Sequence, residues 1–471
     1  MYSINGGESN AFMTQGVSYG PTPVGQTSIP DPLGAQNSAI WKRDIPQIRA
    51  MGANSLRIYG MDATIRSNSI EALDACWNGG TDPIFVILSL WINPSGTNIQ
   101  DLSTLVQQYE WIGEDYGNHP AVIGFSIGSE FNTPENIVSV SFWTQFQSII
   151  TAVRTGITNS GGTKLISTGF VDLVDDNNRE ATIVHGEANN VGVDVWGIDV
   201  YRGNTFSNLW SQIKAATTKP FIITEFGVPA SYHATGVSCI ASELPTTGTP
   251  NMQDVVTYMT SLWNEIEANS AVTTPTNISS GGYIFEWSDE WWKSPQCGGP
   301  DSHNGGSAQN GAFPGGWDDE EWFGLNSIAA NPVSGSPDIL TPRATYTYFQ
   351  SIWASPAPPP TAGLPTNAVT VTLTNAITNP STGRTIMFNY TSDIQSQNPT
   401  WTTAVTIEAL GEPQTFTFPA GTNGISMVFE VDSTWNQGCI LQGTALAQIQ
   451  NNDTITGDWI APNGNGSCPV G

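Results

Sequence analysis

The sequence predicts an α/β fold, a (β/α)8 TIM barrel with a C-terminal antiparallel β-sandwich domain. Three observations predict it. Short apolar runs alternate with longer stretches of helical periodicity, which is how a parallel sheet with crossover helices is written. The apolar runs begin roughly every 30 to 40 residues, the length of one βα unit in such barrels. The alternation then stops at a proline-rich run, beyond which polar and apolar residues alternate singly, as in half-buried strands.

Eight runs serve as barrel strands: GVSYGP from Gly16, NSLRIYG from Asn54, IFVILSLW from Ile84, VIGFSIGSE from Val122, LISTGF from Leu165, VDVWGIDVY from Val193, PFIITEFG from Pro220 and GGYIFEWSDE from Gly281. Most lack polar alternation, as strands buried on both faces should. Between them, IWKRDIPQIRAMG, LSTLVQQYEWIGEDYG, FWTQFQSIITAVRTG, FSNLWSQIKAAT and VVTYMTSLWNEIEANS repeat apolar residues at three and four, and Pro342 opens a last helix, RATYTYFQSIW. The run SPAPPPTAGLP from Ser355 reads as a stiff linker, because proline fixes φ and removes donors. The expected division is a barrel over 1–354, a linker over 355–366 and a sandwich over 367–471. In the last part VTVTLTN, RTIMFNYT, TTAVTIEAL, QTFTFPA and ISMVFEV are the strands. Trp401, Trp435 and Trp459 either form a sugar-stacking face there or pack within a spacer module.

Composition removes several classes of function. Only 14 Lys and Arg stand against 41 Asp and Glu, a formal charge of −27, so phosphate backbones are repelled and nucleic acid is not an expected partner. No apolar run reaches membrane-spanning length. The five cysteines form no C-x-x-C pair and have no histidine at zinc spacing, so no metal or other cofactor is expected. Disulfides Cys239–Cys297 and Cys439–Cys468, with Cys76 free, fit an oxidising compartment, as do the sequons at Asn277, Asn389, Asn452 and Asn465. The N-terminus has no signal-peptide pattern and the C-terminus no anchor-directing tail, so the sequence reads as a mature or trimmed product.

In a barrel of this kind the active face lies at the carboxyl ends of the strands. Glu130 ends the fourth strand and Glu225 the seventh, and opposed strand ends point into one pocket. Retaining cleavage of a glycoside needs one protonated and one ionised carboxyl about 5 to 5.5 Å apart, so Glu130 is assigned as acid/base and Glu225 as nucleophile. A single strand-end acid would more simply cap a helix or hold an arginine; two at these positions point to chemistry. Arg57 and Tyr201 are placed to hold the nucleophile, although a purely structural ion pair is the alternative for Arg57. Tyr19, Tyr59, Trp91, Trp287, Trp291, Trp292 and Trp322 lie at or beyond strand ends, where about half should stack on sugar and the rest should pack. Glu286 and Glu290 are candidate hydroxyl binders, and Ser129 adjoins the acid/base.

Glutamates at strands four and seven are the pattern of clan A glycoside hydrolases. RDIPQIRAMGANSLRIYGMD, WGIDVYRG, TEFG, YIFEWSDEWW and EEWFGLN resemble, in order and spacing, the β-1,3-glucanosyltransferases of glycoside hydrolase family 72, over residues 12 to 353. The resemblance implies a secreted retaining hydrolase or transglycosylase, extracellular or in the cell wall, acting on a polysaccharide, β-1,3-glucan, through a covalent glycosyl-enzyme. Two positions depart from the pattern: Ser129 stands where relatives place an Asn that binds the sugar 2-hydroxyl, and Asp199 where strand six commonly has Asn. Two other readings remain open. One is an endo-acting hydrolase on mannan or a β-1,4-glucan, since a barrel does not choose its sugar. The other is a structural wall or fibre glycoprotein that has lost turnover, to which Ser129 lends weight and both glutamates do not.

Overall fold

The computed structural model describes residues 12–233, 238–306 and 308–354 throughout, and beyond them the backbone of seven strands. The chain divides into two compact units, Met1–Ser355 and Pro356–Gly471.

The first unit is a nearly closed parallel barrel ringed by helices. Its strands are β1 (Thr14–Tyr19), β2 (Ser55–Ile58), β3 (Phe85–Leu90), β4 (Val122–Ile127), β5 (Leu165–Thr168, resumed at Phe170–Val171), β6 (Trp196–Asp199), β7 (Phe221–Phe226) and β8 (Ser279–Ile284). Around the sheet the order runs from Leu165–Thr168 through β4, β3, β2, β1, β8, β7 and β6 to Phe170–Val171. The two ends of the sheet are therefore the two halves of β5. Leu165–Thr168 pairs with β4, Phe170–Val171 pairs with β6, and Gly169 alone separates them. β2, β3 and β7 are buried along their whole length, which explains why their sequences are bare apolar runs.

The helices are α1 (Ser38–Met51), α2 (Ile70–Trp77), α3 (Leu102–Tyr116), α4 (Val140–Asn159), α5 (Ala181–Ala188), α6 (Leu209–Ala216), α7 (Met252–Ala268) and α8 (Ala344–Trp353). Each longer helix turns an apolar stripe inward, as Phe142, Phe146, Ile149, Ile150 and Val153 do from α4. Capping fixes where they start. Ser139 accepts from the Phe142 N–H at the head of α4, and Asn251 with Asp254 forms a reciprocal capping box at α7.

After β8 the chain makes an excursion, 285–343, before α8 begins. It carries two short hairpins, Ala308–Gln309 with Trp317–Asp318 and Asn326–Ala329 with Ile339–Pro342. The expected Cys239–Cys297 disulfide ties it to the loop after β7, and Cys76 is free and buried. Arg343 holds it from the other end, donating to both carboxylate oxygens of Asp289 at 2.6 and 2.7 Å. The side chain of Asn277, within a sequon, donates to the Ala268 carbonyl.

In the second unit the seven strands make two sheets. Thr385–Thr391 lies between Thr402–Glu408 and Gly424–Val431 in a four-stranded antiparallel sheet completed by Thr434–Leu441. Val369–Thr374 pairs antiparallel with Gln414–Phe418 but parallel with Thr454–Asp458, a departure from the all-antiparallel expectation. The linker and the Cys439–Cys468 pairing lie outside the described residues, and so do the side chains of Trp401, Trp435 and Trp459.

Replacing Arg343 with Met should destabilise the barrel by about 3–5 kcal/mol, the cost of leaving one member of a buried ion pair alone. Burial lifts the Asp289 carboxyl to about 6 even beside Arg343. In the variant the loss should therefore be largest near neutral pH and shrink in acid, where Asp289 takes up a proton; urea denaturation at several pH values checks both statements.

Candidate active site

The carboxyl ends of the strands open onto a cleft of about 650 Å³. Its lining combines apolar residues, among them Pro30, Pro32, Met61, Leu90, Trp91 and Leu105, with Glu290, Trp292, Lys293, Asp318 and Glu320 from the segment after β8. Glu130, Glu225, Ser129, Tyr59 and Tyr201 lie on the cleft wall as the sequence predicts.

Glu130 reaches the cleft because the chain turns sharply at the end of β4. Gly128 and Glu130 both have left-handed φ, 70° and 45°. The Glu130 N–H donates to the Gly169 carbonyl at 2.9 Å. Its neighbours Ser129 and Phe131 point into the protein, and Phe131 packs on Phe142, Trp143 and Phe146 of α4. These anchors leave the Glu130 side chain open to the cleft, with no hydrogen bond or ion pair among the described residues. Enclosure by the cleft, and then the charge of Glu225, raise its pKa above the usual carboxylate range, partly countered by Lys293 and Arg57.

Glu225 is held in the opposite manner. Its Oε1 accepts from Arg57 Nη1 at 2.6 Å and from the Tyr59 hydroxyl at 2.6 Å, and its Oε2 accepts from the Tyr201 hydroxyl at 2.8 Å. Burial, and then the charge of Glu225, push both tyrosines well above their ordinary pKa, so they stay protonated donors. Arg57 stacks over the Tyr59 ring at 4.5 Å. It also donates to Ser129 Oγ at 2.9 Å and lies 3.4 Å from Asp199. Carboxyl oxygens of Glu130, Asp199 and Glu225 all lie within 4.8 Å of one another.

Gly169 lies at the break in β5 and explains the fit of the arginine. A Cβ at that position would fall 2.4 Å from Arg57 Nη2.

Four residues predicted to bind substrate are placed elsewhere. Tyr19 is fully buried with its hydroxyl on Asp44, and Trp287 is fully buried against Tyr346. Trp291 stacks on His303, which stacks in turn on Trp322, with ring centroids 4.8 and 3.4 Å apart. Burial keeps that imidazole neutral down to a pKa of about 4. Glu286 sits behind the wall beside Glu290, which does face the cleft. Of the seven aromatic candidates, Tyr59, Trp91 and Trp292 line the cleft. Lys293 is a cleft residue that the sequence reading did not single out; it lies 3.6 Å from both Glu290 and Glu320. The signal was there in the lone cation of EWWKS, next to several acids.

A barrel with two glutamates converging from β4 and β7, one bonded by three donors and one free, defines the class of clan A glycoside hydrolases. Residues 2–291 match the glycoside hydrolase family 72 glucanosyltransferases, and the chain belongs to that family. It is 28% identical over 145 residues to the 1,3-beta-glucanosyltransferase gas5 of Schizosaccharomyces pombe, covering 30% of this chain and 27% of that one. It is 24% identical over 296 residues to the 1,3-beta-glucanosyltransferase PGA4 of Candida albicans, covering 59% and 56%. The chain thus spans about half or less of the length of these curated relatives. A solved structure of Saccharomyces cerevisiae Gas2p in complex with laminaripentaose superposes with a TM-score of 0.47 at 16% identity, covering 73% of this chain and 65% of that one.

Gly169→Ala should cost about 1–3 kcal/mol of stability, as overpacking does, by driving Arg57 off Glu225. Adding Arg57→Lys, which removes the clashing group, should return part of that loss. A double-mutant cycle by thermal denaturation measures the coupling, and simple additivity would show that the two residues do not compete for space.

Proposed function

We propose that the barrel is a retaining β-glucan-cleaving enzyme, with Glu225 as nucleophile and Glu130 as acid/base. The observation that carries the reading is that an oxygen of Glu130 lies within 4.8 Å of an oxygen of Glu225, which leaves no room for a water held between the two groups. Retaining glycosidases set their carboxyls about 5 to 5.5 Å apart, whereas inverting enzymes leave about 6.5 to 9.5 Å for a water.

The division of roles follows from the surroundings. Glu225, ordered by Arg57, Tyr59 and Tyr201, attacks the anomeric carbon along a fixed direction. Glu130, raised in pKa and free of partners, gives its proton to the departing glycosidic oxygen. The bond from the anomeric carbon to that oxygen breaks as the bond to Glu225 forms. Glu130, now ionised, takes a proton from a water or a sugar hydroxyl, which displaces Glu225 and restores the starting configuration.

The names of the relatives supply the linkage, β-1,3-glucan, and the reaction, transfer of a glucan segment. Transfer is supported by Trp91 on the cleft lining, whose exposed ring offers a flat face to a sugar. The Cys239–Cys297 disulfide supports action outside the cell, at the wall where such glucan lies. The C-terminal unit, with its two sheets, reads as an accessory β-sandwich beyond a proline-rich linker.

Glu130→Gln and Glu225→Gln should each lower kcat on β-1,3-glucan by at least about 10²–10⁴-fold without loss of fold, since an amide neither attacks nor donates that proton. Glu225→Gly with azide should yield an inverted glycosyl azide. Proton NMR should find the β anomer first with the unaltered protein; an α anomer would mean inversion and remove the covalent intermediate.

Incubation with a reduced laminari-oligosaccharide should produce oligomers longer than the starting material. Trp91→Ala should then shift the balance from transfer towards hydrolysis by about tenfold, the worth of one sugar–ring contact of about 1–1.5 kcal/mol. Exclusively shorter products at high acceptor concentration would leave a plain hydrolase.

A further inference from the structure

Asp199 is a side chain that the reaction scheme above does not use, although it lies at the floor of the site. It ends β6, pairs in register with Glu225 on β7, and its side chain is wholly buried. Four groups with charge or dissociable protons face it from the elements around it: Arg57 on β2, Tyr59 just beyond, Glu130 after β4, and Glu225 on β7. Tyr201, two residues further along its own strand end, completes the set.

The supply of hydrogen-bond donors is unequal. Three converge on Glu225 at 2.6 to 2.8 Å. Asp199 receives only a long contact from Ser129 Oγ, 3.5 Å, on Oδ2. Its Oδ1 stands 3.4 Å from Arg57 Nη1, an ion-pair distance without a hydrogen bond, and the one further donor beside it is the buried hydroxyl of Thr224. A buried carboxylate needs its oxygens saturated by donors, and a buried hydroxyl needs a partner too. The Thr224 hydroxyl can donate to a carboxylate or accept from a carboxylic acid, so charge decides between the two states. Asp199 lies wholly buried beside Glu225, one oxygen from each of Glu130, Asp199 and Glu225 falls within 4.8 Å of the others, and the single guanidinium among them makes its shortest bond to Glu225.

We propose that Asp199 is a neutral carboxylic acid in the working enzyme, a positioning residue that seats Arg57 without competing with Glu225 for its charge. Burial raises its pKa well above the ordinary range and Glu225 and Glu130 add to that, against the lowering by Arg57 and by the hydrogen bond of Thr224, in agreement with that state. The role of Asp199 in catalysis rests on the function proposed above; its protonation does not.

The test is Asp199→Asn in the full chain, read in two ways. Infrared difference spectra between the unaltered protein and the variant, at neutral pH, should show the C=O band of one protonated carboxyl lost from the variant. The pH profile of kcat/KM should keep its alkaline limb in place or extend it upward, with activity at the optimum within about threefold. Removing an ionised group so close to Glu130 would instead move that limb to lower pH by on the order of one unit or more. Such a shift, or a difference spectrum that loses a carboxylate band, overturns the proposal. So does failure of the variant to fold, because an amide has the shape of the protonated acid. A protein inert on every glucan that still loses the protonated band would sink the proposed function and leave this inference standing.

Discussion

The Arg57–Glu225 contact is the interaction on which the rest of the site depends. A guanidinium wholly removed from water is costly unless its donors and its charge are met on several sides. Here Glu225, Ser129, Tyr59, the Thr224 carbonyl and Asp199 surround it. Burial works against the charged form, but the Glu225 carboxylate bonded at 2.6 Å favours it, and a guanidinium holds its proton more firmly than any other side chain, so Arg57 is a permanent cation. Gly169, where β5 breaks, leaves it the room that a Cβ would take, and the Gly169 carbonyl accepts the Glu130 N–H. The two glutamates are thus linked through the backbone by one cation that contacts only one of them.

Away from the floor of the cleft, many carboxyls are buried with raised pKa values. Asp289 and Asp318 rise to about 6, and Glu180 and Glu321 to about 8, in each case first through burial. A group whose folded pKa exceeds its unfolded one contributes stability that is present in acid and lost as pH rises through the folded value. For these four the window runs from about pH 4, the unfolded carboxyl range, to the values just given. A chain with a formal charge of −27 is in this way suited to mildly acidic surroundings, where part of its negative charge is withdrawn into the interior as neutral acid.

What could be read from the sequence, and what could not, follows from geometry. Strand ends are legible because a parallel strand is a bare apolar run and its last polar residue faces the cleft, which is why Glu130, Glu225, Arg57, Tyr59 and Tyr201 were placed. The excursion after β8 is not legible, since no periodicity says which way a loop residue turns. Trp287 and Trp291 follow the same motif as Trp292, yet one packs inward, one stacks on His303 and one faces the cleft. Tyr19 ends β1 as Tyr59 lies just past β2, but it points at Asp44 instead of the cleft. In the sequence Cys239 and Cys297 are matched only by flanking the last barrel strand; the fold brings the segments beyond β7 and β8 together and joins them.

The two departures from the family pattern, Ser129 and Asp199, are separated by 70 residues and look unrelated in sequence. In the fold they touch the same group. Ser129 Oγ accepts from Arg57 Nη2 at 2.9 Å and reaches Asp199 Oδ2 at 3.5 Å, while Asp199 Oδ1 flanks Arg57 Nη1. A serine in place of an amide gives up a hydrogen-bond donor at the end of β4, and the hydroxyl that remains turns inward to the guanidinium. A carboxyl in place of an amide at β6 gains a titratable proton beside that hydroxyl. The pair is therefore one rearrangement of the arginine's surroundings, and it leaves the three donors to Glu225 in place. That locality is the physical reason why an altered floor is compatible with an intact pair of glutamates above it.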